Sequence, residues 1–96
     1  KGLEINLDEH SVTTEKGTFE LPNKEFELLL YLARNQGKIL TKKQIYEAVF
    51  SIDGDSDNST ISTHIKNVRA KFNKMGVQPI ITVWGIGYKW EQRSRH

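Results

Sequence analysis

Apolar and polar residues alternate along the first twenty positions: Leu3, Ile5 and Leu7, a break at Asp8-Glu9-His10, then Val12, with Phe19 and Leu21 after the Glu15-Lys16-Gly17 turn. A period of two broken by turn residues predicts a short antiparallel meander. Pro22-Asn23 ends that pattern. Phe26, Leu29, Leu30 and Ala33 then recur at three-four spacing up to Asn35-Gln36-Gly37, which predicts an amphipathic helix with Gly37 as its C-terminal stop. Thr41-Lys42-Lys43-Gln44 has the form of a capping box, in which a threonine hydroxyl and a glutamine amide engage the backbone of a first helical turn. A short second helix is expected from there to about Phe50. Ser51 to Ser59 has Ile52 as its one apolar residue and reads as a loop.

A third helix opens near Thr60, because Ile61, Ile65, Val68, Phe72 and Met75 form one narrow core-facing stripe. Met75-Gly76 ends it. Pro79 to Val83 and Tyr88 to Trp90 are β-rich runs around Trp84-Gly85-Ile86-Gly87, and the simplest reading is a hairpin. The expected fold class is therefore α+β: an N-terminal antiparallel sheet, three helices and a C-terminal β-hairpin, in the order of a helix-turn-helix followed by a wing.

Composition narrows the function. With 96 residues, no cysteine, 36% hydrophobic and 27% charged residues, residues 1–96 read as one small globular domain in a reducing, cytoplasmic setting. A chain this size buries only roughly two-thirds of its unfolded surface, so a deep catalytic cavity is not expected and neither is enzymatic activity. No apolar run approaches the roughly 18 residues that span a bilayer, so the chain is not expected to cross a membrane. Starting at Lys1 rather than a methionine, the chain reads as the C-terminal part of something longer.

The net charge of +2 hides a division. Residues 1–58 carry seven Lys/Arg against eleven Asp/Glu, whereas residues 59–96 carry seven Lys/Arg against Glu91 alone. A basic half on a mildly acidic scaffold points to a polyanionic partner, nucleic acid or anionic lipid, with a plain solvated basic surface as the alternative.

The third helix carries most of this signal. At about 100° per residue, turning the Ile61 stripe inward points Ser59, Thr63, Lys66, Asn67, Ala70 and Lys74 outward and puts Thr60, His64, Arg69 and Lys71 on the flanks. No acid occurs from Ser59 to Gln78. Small and hydrogen-bonding residues near the helix start can approach base edges, and the cations around them can hold phosphates. An ordinary solvated helix is the alternative, although such a helix usually mixes charge signs. Lys89, Arg93 and Arg95 make the hairpin basic as well. Trp84, beside two glycines, stands either at a wing tip or packed on the core; Tyr88 and Trp90 share one strand face and are expected in the core.

Other chemistries fail at named positions. Asp53, Asp55 and Asp57 have calcium-loop spacing, but the sixth position is Asn58 and the twelfth is His64. Gly85-Ile86-Gly87 lacks the third glycine of a dinucleotide fingerprint, since Trp90 stands there. His10, His64 and His96 show no paired-ligand spacing, so neither a metal nor a cofactor is expected.

Four stretches are recognisable together: LPNKEFELL from Leu21, GKILTKKQIYEAVF from Gly37, TISTHIKNVRAKF from Thr60 and ITVWGIGYKW from Ile81. In this order, over almost the whole chain, they resemble the winged-helix DNA-binding effector domain of OmpR/PhoB-type two-component response regulators. The resemblance implies a four-stranded N-terminal sheet, with a recognition helix over about 59–75 in the major groove. It also implies a wing over about 80–91, including Thr82, Trp84 and Lys89, on backbone or minor groove.

The resemblance further implies a phosphoacceptor receiver domain, not in this chain, within a phosphorelay that controls transcription. Double-stranded DNA with direct-repeat elements, a second copy on the adjacent half-site and RNA polymerase are the implied partners. Matching positions assign Thr63 and Asn67 to bases, and Phe50, Thr60, His64, Lys66 and Arg69 to the DNA backbone; Ser59 and Lys71 join this second group from the helix projection. Asp53, Asp55 and Asp57 fall in the loop that touches RNA polymerase in some relatives. Trp84 stands where many relatives carry arginine, Phe50 replaces a frequent tryptophan, and Asn67 a frequent arginine. The alternative to DNA binding is a winged-helix protein-protein interaction module with a basic surface.

Overall fold

The alternating pattern of the first twenty residues closes into an antiparallel sheet in the computed structural model, which describes residues 3–50 and 59–91. Strands β1 (Glu4–Asn6), β2 (Ser11–Thr14) and β3 (Gly17–Glu20) lie in the order β1-β2-β3, with Ile5 opposite Val12 and Val12 opposite Phe19. Three strands form this sheet among the described residues, where the family resemblance implies four. Leu7 departs from the expected inward alternation and is 55% exposed. The cause is local: Asn6 Oδ1 accepts from the backbone N–H groups of Asp8 and Glu9, both at 2.9 Å, and turns the chain before Leu7 can continue the strand.

Helix α1 (Asn23–Arg34) starts from Pro22, which supplies a fixed φ but no capping side chain, and ends at Asn35 ahead of Gly37. It buries Glu25, Phe26, Leu28, Leu29 and Leu32. A strand absent from the expected pattern follows: β4 (Ile39–Thr41), which pairs with the second hairpin strand through Leu40 opposite Tyr88 and Thr41 opposite Gly87. Three residues are too few to register a period of two, and their partner lies some fifty positions away.

Helix α2 (Lys42–Ile45) begins on the expected capping box. Thr41 Oγ1 accepts from Gln44 N at 3.0 Å, and Gln44 Oε1 accepts from Thr41 N at 2.9 Å. Its regular turns stop at Ile45 and continue as a wider π-helical turn, Tyr46–Phe50. Helix α3 (Ser59–Lys74) buries Ile61, Ile65, Val68 and Phe72, as its stripe requires, and packs on α1. Met75, expected on that stripe, lies past the helix end and is half-buried.

Strands β5 (Ile80–Val83) and β6 (Gly87–Trp90) form the hairpin, and β4 completes a second sheet of order β4-β6-β5. Tyr88 and Trp90 are buried as expected. Phe72 joins the layers: its ring meets Phe19 edge-on at 5.2 Å and Trp90 edge-on at 5.9 Å, so helix, N-terminal sheet and hairpin share one core.

Candidate nucleic-acid interface

Packing the Ile61 stripe inward leaves the opposite side of α3 in solvent. Its exposed residues are Ser62, Thr63, Lys66, Asn67, Ala70, Asn73 and Lys74, a strip with two cations, four hydrogen-bonding side chains and no acid. The projection from sequence placed Thr63, Lys66, Asn67, Ala70 and Lys74 on this face, and it missed Ser62 and Asn73. The hairpin stands alongside. Arg69 Nη1 donates to Thr82 Oγ1 at 2.7 Å, tying α3 to β5. Ser62, Lys66, Arg69, Asn73, Gln78 and Tyr88 line an open groove between helix and hairpin. Gln78 donates through Nε2 to Arg69 O and to Asn73 Oδ1, while its buried Oε1 has no partner among the described residues.

The hairpin tip settles the two readings of Trp84. The indole is 88% exposed, with Ile86 beside it at 52%, so Trp84 does not pack on the core. Gly85 between them has φ +81°, a conformation L side chains rarely adopt, and Ile86 N–H closes the turn on Val83 O at 3.0 Å. Lys89 is half-buried, 3.9 Å from Glu91.

One sequence assignment needs correction. Phe50 is 1% exposed, packed between the rings of Tyr46 and His64, so it is a core residue out of reach of a DNA phosphate. Lys71 is half-buried on the helix flank, as the projection places it, and its Nζ donates to Glu20 O at 2.6 Å. Thr60 is half-buried on the helix flank. The side chain of Ser59, together with Asp53, Asp55, Asp57, Arg93 and Arg95, lies outside the described residues.

Sequence reasoning also missed Glu25. This carboxylate is 6% exposed, and its Oε2 accepts from Asn67 Nδ2 at 2.9 Å and lies 3.4 Å from His64 Nδ1. The signal was present: Glu25, Leu28, Leu29 and Leu32 share one helical face, so an acid stands where the spacing places a core residue. Among the described residues no cluster of three or more His, Cys, Asp or Glu is placed to hold a metal, and no helix is long and apolar enough to cross a membrane.

A helix presented beyond a shorter helix and flanked by a hairpin defines a winged helix-turn-helix, a class of DNA-binding domain. The chain belongs to the family described as transcriptional regulatory protein, C terminal, whose model matches residues 15–90. It is 38% identical over 97 residues to the transcriptional regulatory protein SrrA of Staphylococcus aureus, a match covering 98% of this chain and 40% of that protein. The chain thus spans less than half the length of that relative.

Solved structures agree on the fold. The DNA-binding domain of response regulator AdeR, in complex with an intercistronic region, superposes with a TM-score of 0.82 at 23% identity, covering 97% of this chain and 96% of that one. DrrB, an OmpR/PhoB homologue from Thermotoga maritima, does so with a TM-score of 0.79 at 30% identity, covering 95% of this chain and 42% of its own.

Proposed function

We propose that this domain reads double-stranded DNA with α3 in the major groove and the β5–β6 hairpin over the neighbouring backbone or minor groove. In this reading it is the effector part of a cytoplasmic two-component response regulator, joined to a receiver domain, and it carries out no chemistry of its own. The observation that carries the reading is the exposed strip of α3, on which cations and hydrogen-bonding groups stand without an acid. Thr63 and Asn67 face bases, Lys66 and Arg69 hold phosphates across the groove between helix and hairpin, and Thr60 and His64 contribute from the flank.

A single module of this size buries about 600–1,000 Å² on DNA and binds weakly at physiological salt. Two copies on direct repeats one helical turn apart, about 10 bp, supply the rest. RNA polymerase is the proposed partner of the Asp53-Asp55-Asp57 segment, on the strength of its acidic sequence and the family resemblance.

Lys66 tests the phosphate role. Lys66→Ala weakens binding to all duplexes alike and lowers the slope of log K against log salt by about 0.9, the counterions of one phosphate contact. A titration at several salt concentrations measures this, and an unchanged slope removes Lys66 from the interface. The wing is tested in the opposite direction. Trp84→Arg adds a cation at an exposed tip that has none, so affinity rises several-fold at low salt and the slope steepens by a similar amount. Affinity and slope both unchanged would take the tip off the DNA. The exposed Trp84 and Ile86 also favour a second reading, a protein-docking surface, and that same pair of unchanged values is its signature.

A further inference from the structure

Asn67 lies on the exposed strip of α3, yet its amide is not free to choose its orientation. Nδ2 donates to Glu25 Oε2 at 2.9 Å, and Glu25 is a buried group of α1, 6% exposed. A carboxylate only accepts hydrogen bonds, so turning the amide over would set Oδ1 against Oε2, oxygen against oxygen. The amide is therefore held one way round. One N–H is committed to Glu25, while Oδ1 and the second N–H remain for a ligand. His64 completes the arrangement with Nδ1 3.4 Å from the same oxygen and its ring stacked on Phe50, 5.2 Å between centroids.

We infer that Glu25 is a positioning residue for base recognition, acting from α1 through Asn67 to set an adenine preference. The inference rests on the reading of α3 as the helix that enters the major groove. Adenine presents there one acceptor, N7, and one donor, the N6 amino group. A carboxamide held with one donor and one acceptor outward matches that edge in a single orientation. An amide that flips freely presents the matched and mismatched faces alike, and discrimination at that base pair suffers. Burial of Glu25 makes the constraint firm, because a buried carboxylate deprived of its donors is costly.

The test is selection from a random double-stranded pool with wild-type protein, Asn67→Ala, Glu25→Gln and the double variant Glu25→Gln/Asn67→Asp, alongside thermal melting of each. Wild type enriches an element with adenine at one position, and Asn67→Ala erases the preference at that position alone. Glu25→Gln, nearly isosteric, lowers the same preference about tenfold while the salt slope and the other positions hold. The double variant reverses the buried hydrogen bond: the new glutamine amide donates to the new carboxylate, which is acceptor-only and shifts the preference to cytosine, whose N4 amino group donates. That variant keeps the inference decidable if Glu25→Gln alone fails to fold.

An unchanged preference in Glu25→Gln overturns the positioning role. So does a loss spread evenly over every position that the double variant fails to reverse, since that marks a purely structural carboxylate. If wild type enriches no element at all, the DNA reading itself falls and the inference with it.

Discussion

Gly87→Ala lowers the melting temperature by roughly 12–24 °C, corresponding to about 3 kcal/mol in a domain of this size. The residue opens β6 opposite Thr41 of β4, and a Cβ built on it runs into the backbone carbonyl of Leu40, with the Leu40 carbonyl carbon and Thr41 Cα both at 2.9 Å. None of these atoms belongs to a side chain that can rotate away. The strand must move, and the cost reaches beyond β4, because Thr41 is also the N-cap of α2 and Leu40 is a core residue. Circular dichroism during heating measures the loss. A melting temperature within a few degrees of wild type would show that β4 does not approach β6 this closely.

Phe72→Ala removes about 3–5 kcal/mol, a large share of the 5–15 kcal/mol that typically holds a domain together. Phe72 is fully buried and meets both Phe19 and Trp90 edge-on, so its loss opens a void where α3, the N-terminal sheet and the hairpin converge. Three layers anchored on one ring cannot all close over the gap. Chemical denaturation followed by tryptophan emission reads the effect from within, because Trp90 lines the void while Trp84 at the tip is exposed already. A midpoint shift worth less than about 1 kcal/mol would mean that the layers are held together elsewhere.

Most of the scaffold was legible because its signals are local. The meander shows in the spacing of Ile5, Val12 and Phe19, the third helix in its Ile61 stripe, and the start of α2 in the Thr41 and Gln44 capping box. Where the reading failed, the deciding contact joins residues far apart in sequence. β4 exists because Leu40 meets Tyr88 across the sheet. Positional analogy assigns Phe50 to DNA, whereas its ring lies in the core against His64. The exposed face of α3 followed from periodicity, but the carboxylate beneath it did not, because only the packing of α1 on α3 sets Glu25 beside Asn67. Trp84 had two readings on sequence grounds, and its exposure at a glycine-built tip decides between them.

The proposed function requires sequence-specific recognition of duplex DNA by the exposed strip of α3. Selection of bound duplexes from a random pool, at low and at near-physiological salt, tests this most directly. The expected result is a short enriched element, repeated head to tail about one helical turn apart, that survives the higher salt. Retention at low salt that vanishes at higher salt with no element enriched would contradict it, leaving a basic surface that holds DNA without reading it.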